Sequence, residues 1–160
     1  MIRITKQTDY GIVLLTQLAL EPERHFNAPE LAAEANLPLP MVSKILKQLA
    51  RDGMLTSHRG VKGGYGLARP AGEISMAEVI GALEGPIALT ECISVEGDCS
   101  HEGSCKVRSN WQRINDAVRS ALEGISLAEM ARPHAPRLVT LGGHRMAEAL
   151  HPTTAPALLT

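Results

Sequence analysis

Aromatic side chains are nearly missing from this chain: Phe26, Tyr10, Tyr65 and Trp111 are the four among 160 residues. With hydrophobic content at 44%, any core must be built from Leu, Ile, Val, Ala and Met. Long apolar runs are missing too. None approaches the ~20 residues that cross a bilayer, and the opening MIRITKQTD has no signal-peptide h-region, which predicts a cytoplasmic protein with no membrane partner. Charge of either sign is not in excess: the formal net charge is −1, so nothing global marks nucleic-acid binding. Catalytic signatures are also lacking. No nucleophile–base pair or carboxylate dyad stands out, and GVKGGYG at 60–66 is no phosphate loop, because no Gly-Lys-Ser/Thr follows it and no helix opens after it. An enzyme is therefore not expected.

Cysteine is scarce but concentrated. Cys92, Cys99 and Cys105 are the three in the chain, and all lie in ECISVEGDCSHEGSCK, with six and then five residues between them. Three thiols in a reducing compartment argue for metal or redox chemistry over a disulfide framework. The glycines and serines around them read as loop, so the thiols can converge without breaking a helix or strand. A soft-metal or iron–sulfur site wants such thiolates, but structural sites mostly want four ligands, so a fourth donor is to be found.

The rest of the chain reads mainly as helix. TKQTDYGIVLLTQLAL (5–20) is dense enough in apolar residues for a buried helix capped by Thr5 or Thr8. Asn27 predicts the cap of a short helix, APELAAEA, ended by Asn36 and Pro38. A third helix opens at Pro40, with Val42, Ile45, Leu46 and Leu49 on one stripe and Gly53 as its stop. MLTSHRG and YGLARP flank a glycine tip and predict a hairpin. A helix capped at Ser75 follows, then the cysteine loop. From about Ser104 to Ile125 a long helix is expected to place Val107, Trp111, Ile114, Val118, Leu122 and Ile125 along a seam like a coiled-coil contact, which suggests a paired helix. SLAEM adds one capped turn. The proline-bearing remainder reads as a disordered tail.

Helix, helix, helix, hairpin is the order of a winged helix-turn-helix. The fold class expected is mainly α: that domain with a β-hairpin wing and a long C-terminal dimerisation helix. The division is 1–85 for DNA binding, 86–106 for the cysteine loop, 107–131 for the dimerisation helix and 132–160 for the tail. The third helix is the one that enters a major groove. From Met41 to Arg69 the chain holds six basic residues (Lys44, Lys47, Arg51, Arg59, Lys62, Arg69) and one acid, Asp52. Such local charge suits phosphate neutralisation. Candidate DNA contacts are Thr5 and Lys6 at the first helix, Met41, Ser43, Lys44 and Lys47 on the third, and Ser57, Arg59, Gly60, Lys62 and Gly63 in the hairpin. A solvated basic hairpin beside an unrelated helical core is the plainer alternative.

SHRGVKGGYGLARP, with a winged helix before it and spaced cysteines after it, resembles the IscR/NsrR-type family of bacterial winged-helix transcription regulators. ALEGPIALTEC followed by NWQRIN is most similar to the branch that regulates iron–sulfur (SUF-system) assembly genes. The resemblance covers roughly Met1 to Met130. It implies a homodimer joined through the long helix, operator DNA as partner, and an iron–sulfur cluster on Cys92, Cys99 and Cys105. In IscR-like members a histidine three residues after the last cysteine completes a 2Fe–2S site. Here that position is Arg108, which stays protonated and has no lone pair to give. NsrR-like members complete a 4Fe–4S site with an aspartate near the start of the first helix, given by the other subunit; Asp9 stands there, which favours 4Fe–4S over 2Fe–2S. Asp9 as a charge favourable to the helix dipole is the alternative, and Glu91, Asp98, His101 and Glu102 are rival ligands. Two other readings stay open: a structural zinc on three cysteines and His101, or a thiol redox switch. Nitric oxide is the alternative signal to cluster status.

Overall fold

A computed structural model describes residues 3–60, 63–94, 99 and 105–132. Helix α1 (Lys6–Leu20) starts where Thr5 accepts a hydrogen bond from the Thr8 amide, and buries Thr8, Gly11, Leu14, Leu15 and Leu18. Helix α2 (Ala28–Glu34) opens with a full capping box: the Asn27 side chain accepts from the Glu30 amide, and the Glu30 carboxylate accepts from the Asn27 amide. The turn into α3 (Leu39–Arg51) uses Asn36 at φ 52°, a left-handed conformation that asparagine tolerates better than most residues. Leu31 and Ala32 of α2 and Val42, Ile45, Leu46 and Leu49 of α3 then close on α1. The helix-turn-helix is therefore set by one aliphatic core.

Strands β1 (Leu55–His58) and β2 (Gly64–Leu67) pair antiparallel, Leu55 opposite Leu67 and His58 opposite Gly64. The tip bends at Gly60, whose φ of 121° strains any residue with a Cβ. Sequence patterning does not foresee a third element of this wing. Phe26, fully buried, exchanges two backbone hydrogen bonds with Tyr65, 3.0 Å and 2.8 Å, and so lines the far edge of β2. Gly64 lets that edge close: a Cβ there would sit 2.6 Å from the Phe26 carbonyl oxygen.

A single 3-10 turn (Ala71–Glu73) leads to α4 (Met76–Glu84), capped by a Ser75–Glu78 box. The long helix α5 runs Arg108–Glu123, four residues shorter at its start than the periodicity predicts, because Cys105–Val107 form a turn outside it. It ends at Glu123, with Gly124 as the cap, rather than at Ile125. The final turn of helix, α6 (Leu127–Ala131), has its own Ser126–Glu129 box and returns to the body: Leu127 is fully buried in the core, its amide donating to Ile74 O at 2.8 Å. The Met76 amide donates to Ile125 O at 2.9 Å, joining the two caps edge to edge. Residues 133–160, expected as tail, lie outside the described residues, as does Lys62.

Candidate nucleic-acid interface and thiol site

Helix α3 has two unlike faces. Val42, Ile45, Leu46 and Leu49 are buried, while Lys44, Lys47 and Arg51 are exposed and carry the positive face. Ser43 is half-buried between them. Met41, expected on the outward side, is also half-buried and packs against the core. On the wing, Ser57, Arg59 and Gly60 are exposed, and Gly63 is half-buried with its amide on Gly60 O at 2.9 Å. Arg69 is exposed but already engaged: it donates to Glu78 Oε1 at 2.9 Å and to Glu73 O at 3.3 Å. That pair, with the Ser75 amide as the larger influence, holds the Glu78 carboxyl below its usual range.

Thr5 and Lys6 are exposed at the start of α1. The Thr5 amide donates to Glu84 Oε1 at 2.7 Å, which lowers the Glu84 carboxyl pKa and ties α1 to the end of α4. A second polar link crosses nearby. Gln48, half-buried on α3, accepts from Gln7 Nε2 at 2.9 Å and donates to Ala82 O at 2.7 Å. Ala82 lies in the last turn of α4, where helix carbonyls have no partner of their own. Gln48 thus caps α4 from the side of the reading helix, three residues before Gly85 begins the path to Cys92.

The three cysteines are free and half-buried. Cys92 sits in a tight turn in which the Ile93 amide donates to Thr90 O at 3.0 Å and Thr90 Oγ1 lies 3.3 Å from Cys92 Sγ. Cys105 begins the turn into α5, its carbonyl accepting from the Arg108 amide at 3.4 Å. Asp9 is exposed in the first turn of α1. Among the described residues of the single chain no three His, Cys, Asp or Glu side chains form a group able to hold a metal ion; the expectation for Asp9 concerns a second copy. The donor chemistry nonetheless suits an iron–sulfur cluster: three soft thiols, none in a disulfide, on a segment free of regular structure near Cys92. Asp98, His101 and Glu102 lie outside the described residues; Glu91 is described and exposed.

Sequence reasoning missed one residue here. Asn115 is the buried residue of α5, 4% exposed; its Nδ2 donates to Ile87 O at 3.1 Å and its Oδ1 accepts from the Leu89 amide at 3.0 Å. A lone polar residue on a helix reads as solvated, so no sequence signal marks it. Of the seam expected for a paired helix, Val107, Trp111, Ile114 and Ile125 are exposed, Trp111 by 39%, while Val118 and Leu122 are half-buried and Leu122 packs against the core.

A helix pair with a basic outer face on its second member, beside a three-element wing, defines a winged helix-turn-helix DNA-binding protein. Comparison with known proteins agrees. The Rrf2 family, described as iron-dependent transcriptional regulators, matches residues 4–133, and the chain belongs to that family. A Mycobacterium tuberculosis protein provisionally named an HTH-type transcriptional regulator is 34% identical over 131 residues, 81% of each chain. HTH-type transcriptional regulator IscR of Xenorhabdus nematophila is 29% identical over 131 residues, 81% of this chain and 79% of its own. The crystal structure of the oxidized form of Staphylococcus aureus CymR superposes with a TM-score of 0.62 at 29% identity, over 84% of this chain and all of that one. These are transcriptional regulators and not enzymes, and the described residues include no helix long and apolar enough to cross a membrane.

Proposed function

We propose that this protein is a homodimeric, operator-binding regulator that senses iron–sulfur cluster status and controls cluster-assembly genes from the cytoplasm. Cys92, Cys99 and Cys105 would hold the cluster, with Asp9 of a second copy as fourth ligand, a set that favours 4Fe–4S over 2Fe–2S. Bound there, the cluster supplies a redox- and oxidant-sensitive group whose loss reports on supply. A carboxylate is a harder ligand than thiolate and leaves iron more readily, which suits a sensor. Lys44 and Lys47 would neutralise phosphates, Ser43 and Met41 would face base edges, and Thr5, Lys6, Ser57, Arg59, Gly60, Lys62 and Gly63 would support the backbone contact. The exposed stripe on α5 would be covered by a second copy, and 1–85, 86–106, 107–131 and 132–160 would serve as reading domain, cysteine loop, dimer helix and tail.

The observation that carries this reading is the position of the cysteine segment. It links α4, whose end Gln48 of the reading helix caps, to α5, whose apolar stripe is exposed. Fixing that segment would therefore bear on where the two reading helices of a dimer lie, and these must meet half-sites about one helical turn apart. The test is operator selection from fragmented genomic DNA by anaerobically prepared protein, before and after chelation. Enrichment of DNA upstream of cluster-assembly genes, with affinity changed by chelation, supports the proposal. Enrichment of other genes under nitric oxide control transfers the sensor to that signal.

A second reading has its own support. The similar CymR structure is that of an oxidized form, and three free, half-buried thiols also suit a thiol switch. Iron-free protein whose DNA affinity responds to peroxide would favour it, and stoichiometric zinc would favour a structural metal.

A further inference from the structure

We infer that Asn115 is the positioning residue of the thiol site: its single carboxamide fixes Cys92 relative to Cys105 by tying the first end of the cysteine segment to the helix that follows the last. The inference rests on the reading of these thiols as one working set, whatever they bind.

Three observations carry it. Asn115 is 4% exposed on a helix that is otherwise largely solvent-facing. Both ends of its amide are used on one short stretch of backbone, Nδ2 on Ile87 O at 3.1 Å and Oδ1 on the Leu89 amide at 3.0 Å. That stretch has no helix or strand to fix it, and the Cys92 turn stands directly upon it: the amides of Ile93 and Ser94 donate to Thr90 O at 3.0 Å and 3.3 Å, and Thr90 Oγ1 lies against Cys92 Sγ. Cys105, by contrast, is placed by α5 itself, three residues before Arg108. Asn115 therefore joins the two thiol-bearing ends through one rigid element. A donor and an acceptor are both required, and the carboxamide supplies them on two separate atoms, Nδ2 and Oδ1. Aspartate keeps the acceptor for Leu89 but cannot donate to Ile87; alanine keeps neither.

The role is tested on cluster-free dimer by timed iodoacetamide alkylation, with each cysteine peptide followed by mass spectrometry. Loss of the clamp frees the Cys92 turn to open locally, so Asn115→Ala should alkylate Cys92 about five- to tenfold faster than wild type. Asn115→Asp should fall between, and Cys105, placed by α5 itself, should keep its wild-type rate in both. Far-UV circular dichroism and the sedimentation of the dimer confirm the fold; should Asn115→Ala not fold, the aspartate variant alone decides. Unchanged Cys92 reactivity in a folded variant overturns the inference, as does equal acceleration of Cys92 and Cys105, which would mean general loosening. In cluster-loaded protein the same variants should lose visible absorbance to a chelator several-fold faster from an equal starting iron content. Wild-type protein free of iron would sink the cluster reading, while the alkylation comparison would still decide the role of Asn115.

Discussion

Gln48 is where the reading helix meets the root of the cysteine segment, and its removal has consequences that can be sized. Its side chain makes two good hydrogen bonds, 2.9 Å from Gln7 Nε2 and 2.7 Å to Ala82 O, in a half-buried setting. A net intramolecular hydrogen bond is worth about 1 kcal/mol, so Gln48→Ala forfeits about 2 kcal/mol. Alanine's better helix propensity returns a few tenths of that. For a chain of this size the melting temperature should fall by about 3–6 °C. Gln48→Glu should cost more, because its carboxylate would face the negative end of the α4 dipole and cannot donate to Ala82. The functional effect is the sharper one. With α3 and the end of α4 unlinked, the ratio of operator affinities between cluster-loaded and cluster-stripped protein should move toward one. Fluorescence anisotropy on both forms measures it. A ratio equal to that of wild type, in a variant with the expected loss of stability, would refute the coupling through Gln48.

Lys44→Ala and Lys47→Ala should each weaken operator and random DNA alike, and flatten the salt dependence of log affinity by about 0.9 for each phosphate left without its lysine, read from titrations at several salt concentrations. Asp9→Ala should keep the fold and three reactive thiols but bleach its cluster faster than wild type under a chelator; equal bleaching would reject Asp9 as ligand. Gly64→Ala forces a methyl against the Phe26 carbonyl, 2.6 Å away, and should cost about 1–3 kcal/mol by urea denaturation. The Glu84 carboxyl is held below its usual range by the Thr5 amide. Its stabilising effect is present above the unfolded value near 4.3 and is lost as pH falls through the lower native value, so Glu84→Gln should flatten the acid limb of stability against pH.

Much of the architecture was legible because its signals are local. Thr5, Asn27, Ser75 and Ser126 each cap a helix, and the last three sit three residues before the glutamate that completes a box. The α3 stripe and the glycine-tipped hairpin follow from period alone. Illegible features are those made by one residue meeting a distant one. Phe26 pairs with Tyr65 through backbone groups that leave no pattern in side-chain type. Asn115 is buried because α5 lays that side against the backbone of 87–89, whereas the stripe that periodicity reads as a seam for a paired helix leaves Val107, Trp111, Ile114 and Ile125 exposed in the single chain. Arg69 counts as positive charge in the sequence, yet Glu78 takes it. The candidate ligands are legible as residue types, but the convergence proposed for them depends on a segment and a second copy that periodicity does not describe.

The central claim is that the thiols hold iron and sulfide. It is met most directly by counting iron, acid-labile sulfide and zinc per protomer in anaerobically purified protein, alongside its visible spectrum. Brown protein with visible absorbance and iron matched by sulfide, lost when Cys92, Cys99 or Cys105 is changed to serine, is the predicted result. Colourless protein with stoichiometric zinc and no iron would contradict it.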